Sequence, residues 1–127
     1  MAVGLAAAAR PTVVPAKLVG RWTRNVTQHD WDKHGQGAQS FPVGFWSLVI
    51  KRNGDVNVYV PGGTSPDFAT SFSASPDGRL TVHAVPICVP NGQYRWKVTG
   101  NLLTITKVAD KLCPARIALY AGVWKRK

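Results

Sequence analysis

The sequence predicts an all-β fold, an eight-stranded antiparallel up-and-down β-barrel, and three observations predict it. Short segments of alternating apolar and polar residues run from about residue 17 to the end, and no helical period of adequate length interrupts them. Asn53-Gly54 supplies the positive φ angles of a two-residue hairpin between two such segments. Tight and long connections then alternate along the chain, and a meander of eight strands removes its two exposed edges only by closing on itself.

The elements follow in order. Strand β1 (about 17–26) carries the run Leu18-Val19-Gly20-Arg21-Trp22-Thr23-Arg24-Asn25, with Leu18, Gly20, Trp22 and Arg24 on one face. Strand β2 (about 43–52) has two phases. Trp46, Leu48 and Ile50 are favoured inside over Phe45, Ser47 and Val49, because Ser47 and Lys51 then face water. Strand β3 (about 55–61) points Val56, Val58 and Val60 inward, and β4 (about 67–74) contributes Phe68, Thr70 and Phe72. Strand β5 (about 78–85) contributes Leu80, Val82 and Ala84, after the turn Pro76-Asp77-Gly78. Strand β6 (about 92–99) turns Tyr94, Trp96 and Val98 inward and Arg95 and Lys97 outward. Thr99-Gly100-Asn101 leads into β7 (about 102–108), and β8 (about 115–126) places Arg116, Tyr120, Trp124 and Arg126 in one phase. The β2–β3, β4–β5 and β6–β7 turns then form a tight base, and the longer connections line an open mouth.

The chain of 127 residues fits one domain, with 1–16 as a flexible arm or signal-peptide remnant and 17–127 as the barrel. The apolar runs are too short for a membrane helix, so no transmembrane segment is expected. A net charge of +10, with six aspartates and no glutamate, favours anionic partners. The basic residues are spread over nearly every segment, which argues against a nucleic-acid reader. Monomer and small homo-oligomer both remain open. Cys88 and Cys113 fall in the two connections at the mouth, where a disulfide would form. A bridge places the protein outside the cytoplasm, secreted or in the cell envelope; unpaired thiols place it in the cytoplasm.

The mouth connection between β1 and β2 concentrates His29, Asp30, Trp31, Asp32 and His34. These residues lack the spacing of a zinc site and read as a polar lid, so no metal and no cofactor is expected. No nucleophile elbow or Gly-rich phosphate loop is present, which argues against hydrolase and nucleotide chemistry.

Gly20-Arg21-Trp22 at the start of β1, eight meandering strands and a basic residue late in the last strand resemble the lipocalins and their wider calycin relatives. The ending "LCPARIALYAGVWKR" is similar to small bacterial lipocalin-like domains. The resemblance covers about 17–127 and implies that Trp22 closes the barrel base beside Gly20, with Arg126 packed across it. It departs from fatty-acid-binding proteins in having Trp124-Lys125-Arg126 where their carboxylate-binding R-x-Y stands. Neither a helix-turn-helix lid nor a long C-terminal helix is expected.

The resulting expectation is a barrel that binds or carries a small hydrophobic molecule, neutral or anionic. Arg24, Trp46, Leu48, Val58, Phe68, Phe72, Val82, Tyr94, Trp96 and Tyr120 are the candidate ligand-binding residues. Arg24 is either a buried cation awaiting a carboxylate or a side chain escaping outward at a bulge, and side chains alone could also fill the interior. Two alternatives stand beside carriage. One is a cyclase or isomerase acting inside the barrel, with Tyr94, Trp96 and the mouth histidines as candidates. The other is a secreted protein-binding barrel such as a protease inhibitor, using the 1–16 arm or the mouth loops.

Overall fold

The computed structural model describes residues 14–34, 41–83, 91–110 and 113–127. Eight antiparallel strands close into a barrel in simple sequential order, and β1 pairs with β8 to complete it. The strands are β1 (Gly20–Val26), β2 (Gly44–Ile50), β3 (Asp55–Tyr59), β4 (Phe68–Ala74), β5 (Arg79–Val82), β6 (Gly92–Thr99), β7 (Leu102–Ala109) and β8 (Gly122–Arg126). Alternation sets the interior: Trp46, Leu48 and Ile50 are buried while Phe45 is exposed, which selects one of the two β2 phases.

Two short helices correct the all-strand expectation at the mouth. Thr27 caps helix α1 (Gln28–Asp32) by accepting from the Asp30 N–H, and the Asp30 side chain accepts from the Thr27 N–H in return. Helix α2 (Pro114–Tyr120) occupies the first half of the segment expected to be β8, so that strand begins only at Gly122. Pro114 opens this helix at a position where no N–H is needed. Its last five residues, Arg116 to Tyr120, are all buried, so the segment shows no polar face that would betray a helical period. Helices α1 and α2 pack on one another.

The base includes residues that precede β1. Val14 is buried and its N–H donates to the Arg52 carbonyl at 3.0 Å. A 3-10 turn, Ala16–Leu18, leads into β1. Above it the Arg126 guanidinium lies 4.1 Å from the Trp22 ring centroid and donates to the Val19 and Lys17 carbonyls. Gly20 leaves room for this: a Cβ there would sit 2.8 Å from Arg126 Nη1. Phe72, Leu48, Val58, Leu103 and Ile105 fill the barrel with side chains and are essentially excluded from solvent.

Candidate functional site

A cavity of about 460 Å³ lies at the mouth end of this packed interior. Trp31, Phe41, Trp46, Phe68, Val82, Leu119 and Tyr120 form its apolar walls, and Asp67, His83 and Arg116 add polar groups. The aromatic side of the wall is built around one carbonyl. The Trp46 and Trp31 indoles both donate to Pro42, at 3.0 and 3.3 Å, while Trp31 stacks on Phe41 and meets Trp46 edge-on. Trp31 is 1% exposed, so the expected polar lid carries a core residue.

Helix α2 forms another wall, and two arginines hold it. Arg24 Nη1 donates to the Ala118 and Leu119 carbonyls, at 2.9 and 2.6 Å, satisfying acceptors that the helix end would leave unpaired. Arg24 Nη2 also lies 3.4 Å from Asp30 on α1, so one side chain joins β1 to both helices. It therefore belongs to the wall's support rather than to the cavity lining. Burial lowers the Arg24 pKa and the Asp30 charge raises it, with burial prevailing.

Arg116 anchors the other end of α2. Its Nε and Nη2 donate to the two oxygens of Asp110, at 2.7 and 2.8 Å, and the Tyr94 hydroxyl donates to Asp110 Oδ2 at 2.5 Å. The arginine and aspartate side chains are 4% and 1% exposed, so charge is neutralised within the pair. Burial, then the bond to Asp110, pushes the Tyr94 phenol far up. Gly92 admits the carboxylate, because a Cβ there would meet Asp110 Oδ2 at 2.5 Å.

Tyr120 differs from Tyr94. Its ring packs edge-on against Phe72, with centroids 5.7 Å apart, and its carbonyl accepts from the Trp124 indole. Its hydroxyl has no hydrogen-bond partner among the described residues. Tyr120 lines the cavity.

The cavity thus gathers Trp46, Phe68, Val82 and Tyr120 from the sequence-predicted ligand residues. Leu48, Val58 and Phe72 lie in the packed interior, and Tyr94 is tied to Asp110. Trp96 points to the other end, where its indole donates to the Ser75 carbonyl at 3.0 Å. His29 is exposed on α1. His34 is half-buried, and burial, then the Lys33 and Lys107 charges, lowers its pKa. Cys113 precedes α2 and is 5% exposed, whereas Cys88 lies outside the described residues. Among the described residues no group of three His, Cys, Asp or Glu side chains could hold a metal, and no helix is long and apolar enough to cross a membrane.

Sequence reasoning missed the Asp110–Arg116–Tyr94 cluster, Phe41 and the holding of α2 by Arg24. One signal was available for the last: the pattern Gly-x-Trp-x-Arg occurs twice, at 20–24 and at 122–126. Fold and site together define a closed eight-stranded antiparallel barrel with an apolar cavity walled by helix and strand at one end. Comparison with protein-family models, curated proteins and solved structures finds no match.

Proposed function

We propose that this barrel is a lipocalin-like carrier that holds one small hydrophobic molecule in the mouth cavity. The observation that supports it is the cavity itself: about 460 Å³, walled mainly by aromatic and aliphatic side chains and lying at the end of a closed barrel whose remainder is filled. Carriage is preferred to turnover because, of the expected chemical groups, the Tyr94 hydroxyl and the Trp96 indole are each committed to protein partners, and neither His29 nor His34 is among the residues that line the cavity. The inhibitor reading through the 1–16 arm rests mostly on residues outside the described ones. We also propose a Cys88–Cys113 bridge beside α2, in a secreted or cell-envelope protein.

Native mass spectrometry on protein purified from its own host tests the carrier reading. A stoichiometric apolar compound is the expected result. An empty protein whose tryptophan fluorescence is also unchanged by hydrophobic probes would overturn it.

A further inference from the structure

We propose that the cavity selects an uncharged, multi-ring aromatic molecule carrying a hydrogen-bond acceptor for Tyr120, and discriminates against the carboxylate form of the same skeleton. This rests on the carrier reading and deepens it by naming the ligand's class.

The lining argues for flat rings. Trp31, Phe41, Trp46, Phe68 and Tyr120 all reach the cavity, and at interior packing density a volume of this size has room for on the order of 25 non-hydrogen atoms, enough for several rings.

Charge argues for neutrality, although the chain as a whole carries +10. The two arginines nearest the cavity each face an acid of their own. Arg116 lines the wall but lies bidentate on Asp110, and Arg24 stands behind the wall on Asp30 and two helix carbonyls. A ligand carboxylate would have to draw Arg116 from Asp110 and leave that buried carboxylate short of its partner. Asp67, at the cavity edge and outside any ion pair among the described residues, adds a like charge. Among the described residues that line the cavity there is no lysine, and the arginine is already paired, so an anion loses its water without gaining a free lysine or arginine.

The polar handle is a donor. The Tyr120 hydroxyl has no hydrogen-bond partner among the described residues, and burial pushes its pKa well up, so it stays protonated across the ordinary pH range. An ester, ketone or ether oxygen completes it.

The test uses the whole chain and the fluorescent probe N-phenylnaphthylamine at neutral pH. Three competitors share one skeleton: methyl naphthoate, naphthoate and ethylnaphthalene. The ester should compete at least about tenfold better than the anion. In Tyr120→Phe the ester should weaken about fivefold while ethylnaphthalene is unchanged, the signature of one hydrogen bond rather than of altered packing. Naphthoate competing as well as the ester would overturn the neutral class, and equal weakening of ester and hydrocarbon in Tyr120→Phe would overturn the Tyr120 role. Binding of neither the probe nor any competitor would overturn the carrier reading itself, an outcome distinct from binding in the wrong order.

Discussion

Arg24 and Arg126 are exchanged clamps: each guanidinium holds the helical turn that precedes the other's strand. Arg126 on β8 donates to Lys17 and Val19 around the 3-10 turn before β1, and Arg24 on β1 donates to Ala118 and Leu119 at the end of α2 before β8. Each also lies over the tryptophan of the opposite strand, Arg126 at 4.1 Å from Trp22 and Arg24 at 6.0 Å from Trp124. Each indole in turn donates to the carbonyl four residues before it, Trp22 to Leu18 and Trp124 to Tyr120. Two Gly-x-Trp-x-Arg segments on paired antiparallel strands thus make the same set of contacts twice, one closing the base and one fixing the wall of the cavity.

The two clamps should separate stability from binding. Arg126→Met removes a cation–π contact and two hydrogen bonds and should cost about 2 kcal/mol in urea unfolding, with probe affinity unchanged. Arg24→Met also leaves Asp30 without its cation and α2 without its cap, so it should cost about 3 kcal/mol and weaken probe binding as well. Equal effects of the two variants on binding would show that α2 does not depend on Arg24.

The glycines of the two segments should be coupled to the opposite arginines. A Cβ on Gly122 would run into the Arg24 guanidinium, as one on Gly20 would meet Arg126 Nη1. Gly122→Ala should destabilise by about 1–3 kcal/mol. In the Arg24→Met background the same change should cost clearly less, because the clash partner is gone, and an unchanged cost in this double-mutant cycle would place the strain elsewhere.

Much of the barrel was legible because its signals are local. Asn53-Gly54, Pro76-Asp77-Gly78 and Gly100-Asn101 fix the base turns, and β6 alternates plainly through Tyr94, Trp96 and Val98. Helix α2 was misread because Arg116 to Tyr120 are buried on every side, which leaves no polar stripe to count. Its N-terminal signal, proline after Cys113, was present but outweighed by the alternation that continues into Trp124 and Arg126. The cavity itself was only partly legible. Trp46, Phe68, Val82 and Tyr120 follow from strand or segment phase, whereas Asp110 reaches Arg116 and Tyr94 only through tertiary packing.

Acid should loosen the wall through Asp30. Burial raises its pKa, but the Thr27 hydrogen bonds and the Arg24 and Lys33 charges outweigh it, so the folded value is lowered. A carboxylate with a depressed folded pKa stabilises the fold above its unfolded value, about 4, and loses that contribution as pH falls through the folded one. Wild type should therefore lose more stability below about pH 4 than Asp30→Asn does, read from urea midpoints. Parallel acid profiles would remove Asp30 from the linkage.

The proposed Cys88–Cys113 bridge is checked by thiol titration under denaturing conditions. Protein prepared without reductant should show no free thiol, and reduction should lower stability by about 3 kcal/mol for a loop of this length. Two titratable thiols would sink both the bridge and the extracellular placement.

The mouth cavity can be filled from within. Ala115 lines it from the first turn of α2, where a larger side chain keeps the helix and projects into open volume. Ala115→Phe should abolish N-phenylnaphthylamine binding while leaving the urea midpoint unchanged or raised, since the added ring gains contacts without displacing packed atoms. Overpacking would read out differently, as a loss of about 1–3 kcal/mol with the barrel strained. Retained binding at full affinity would place the probe outside the mouth cavity. The comparison therefore locates the binding volume without requiring the natural ligand to be known.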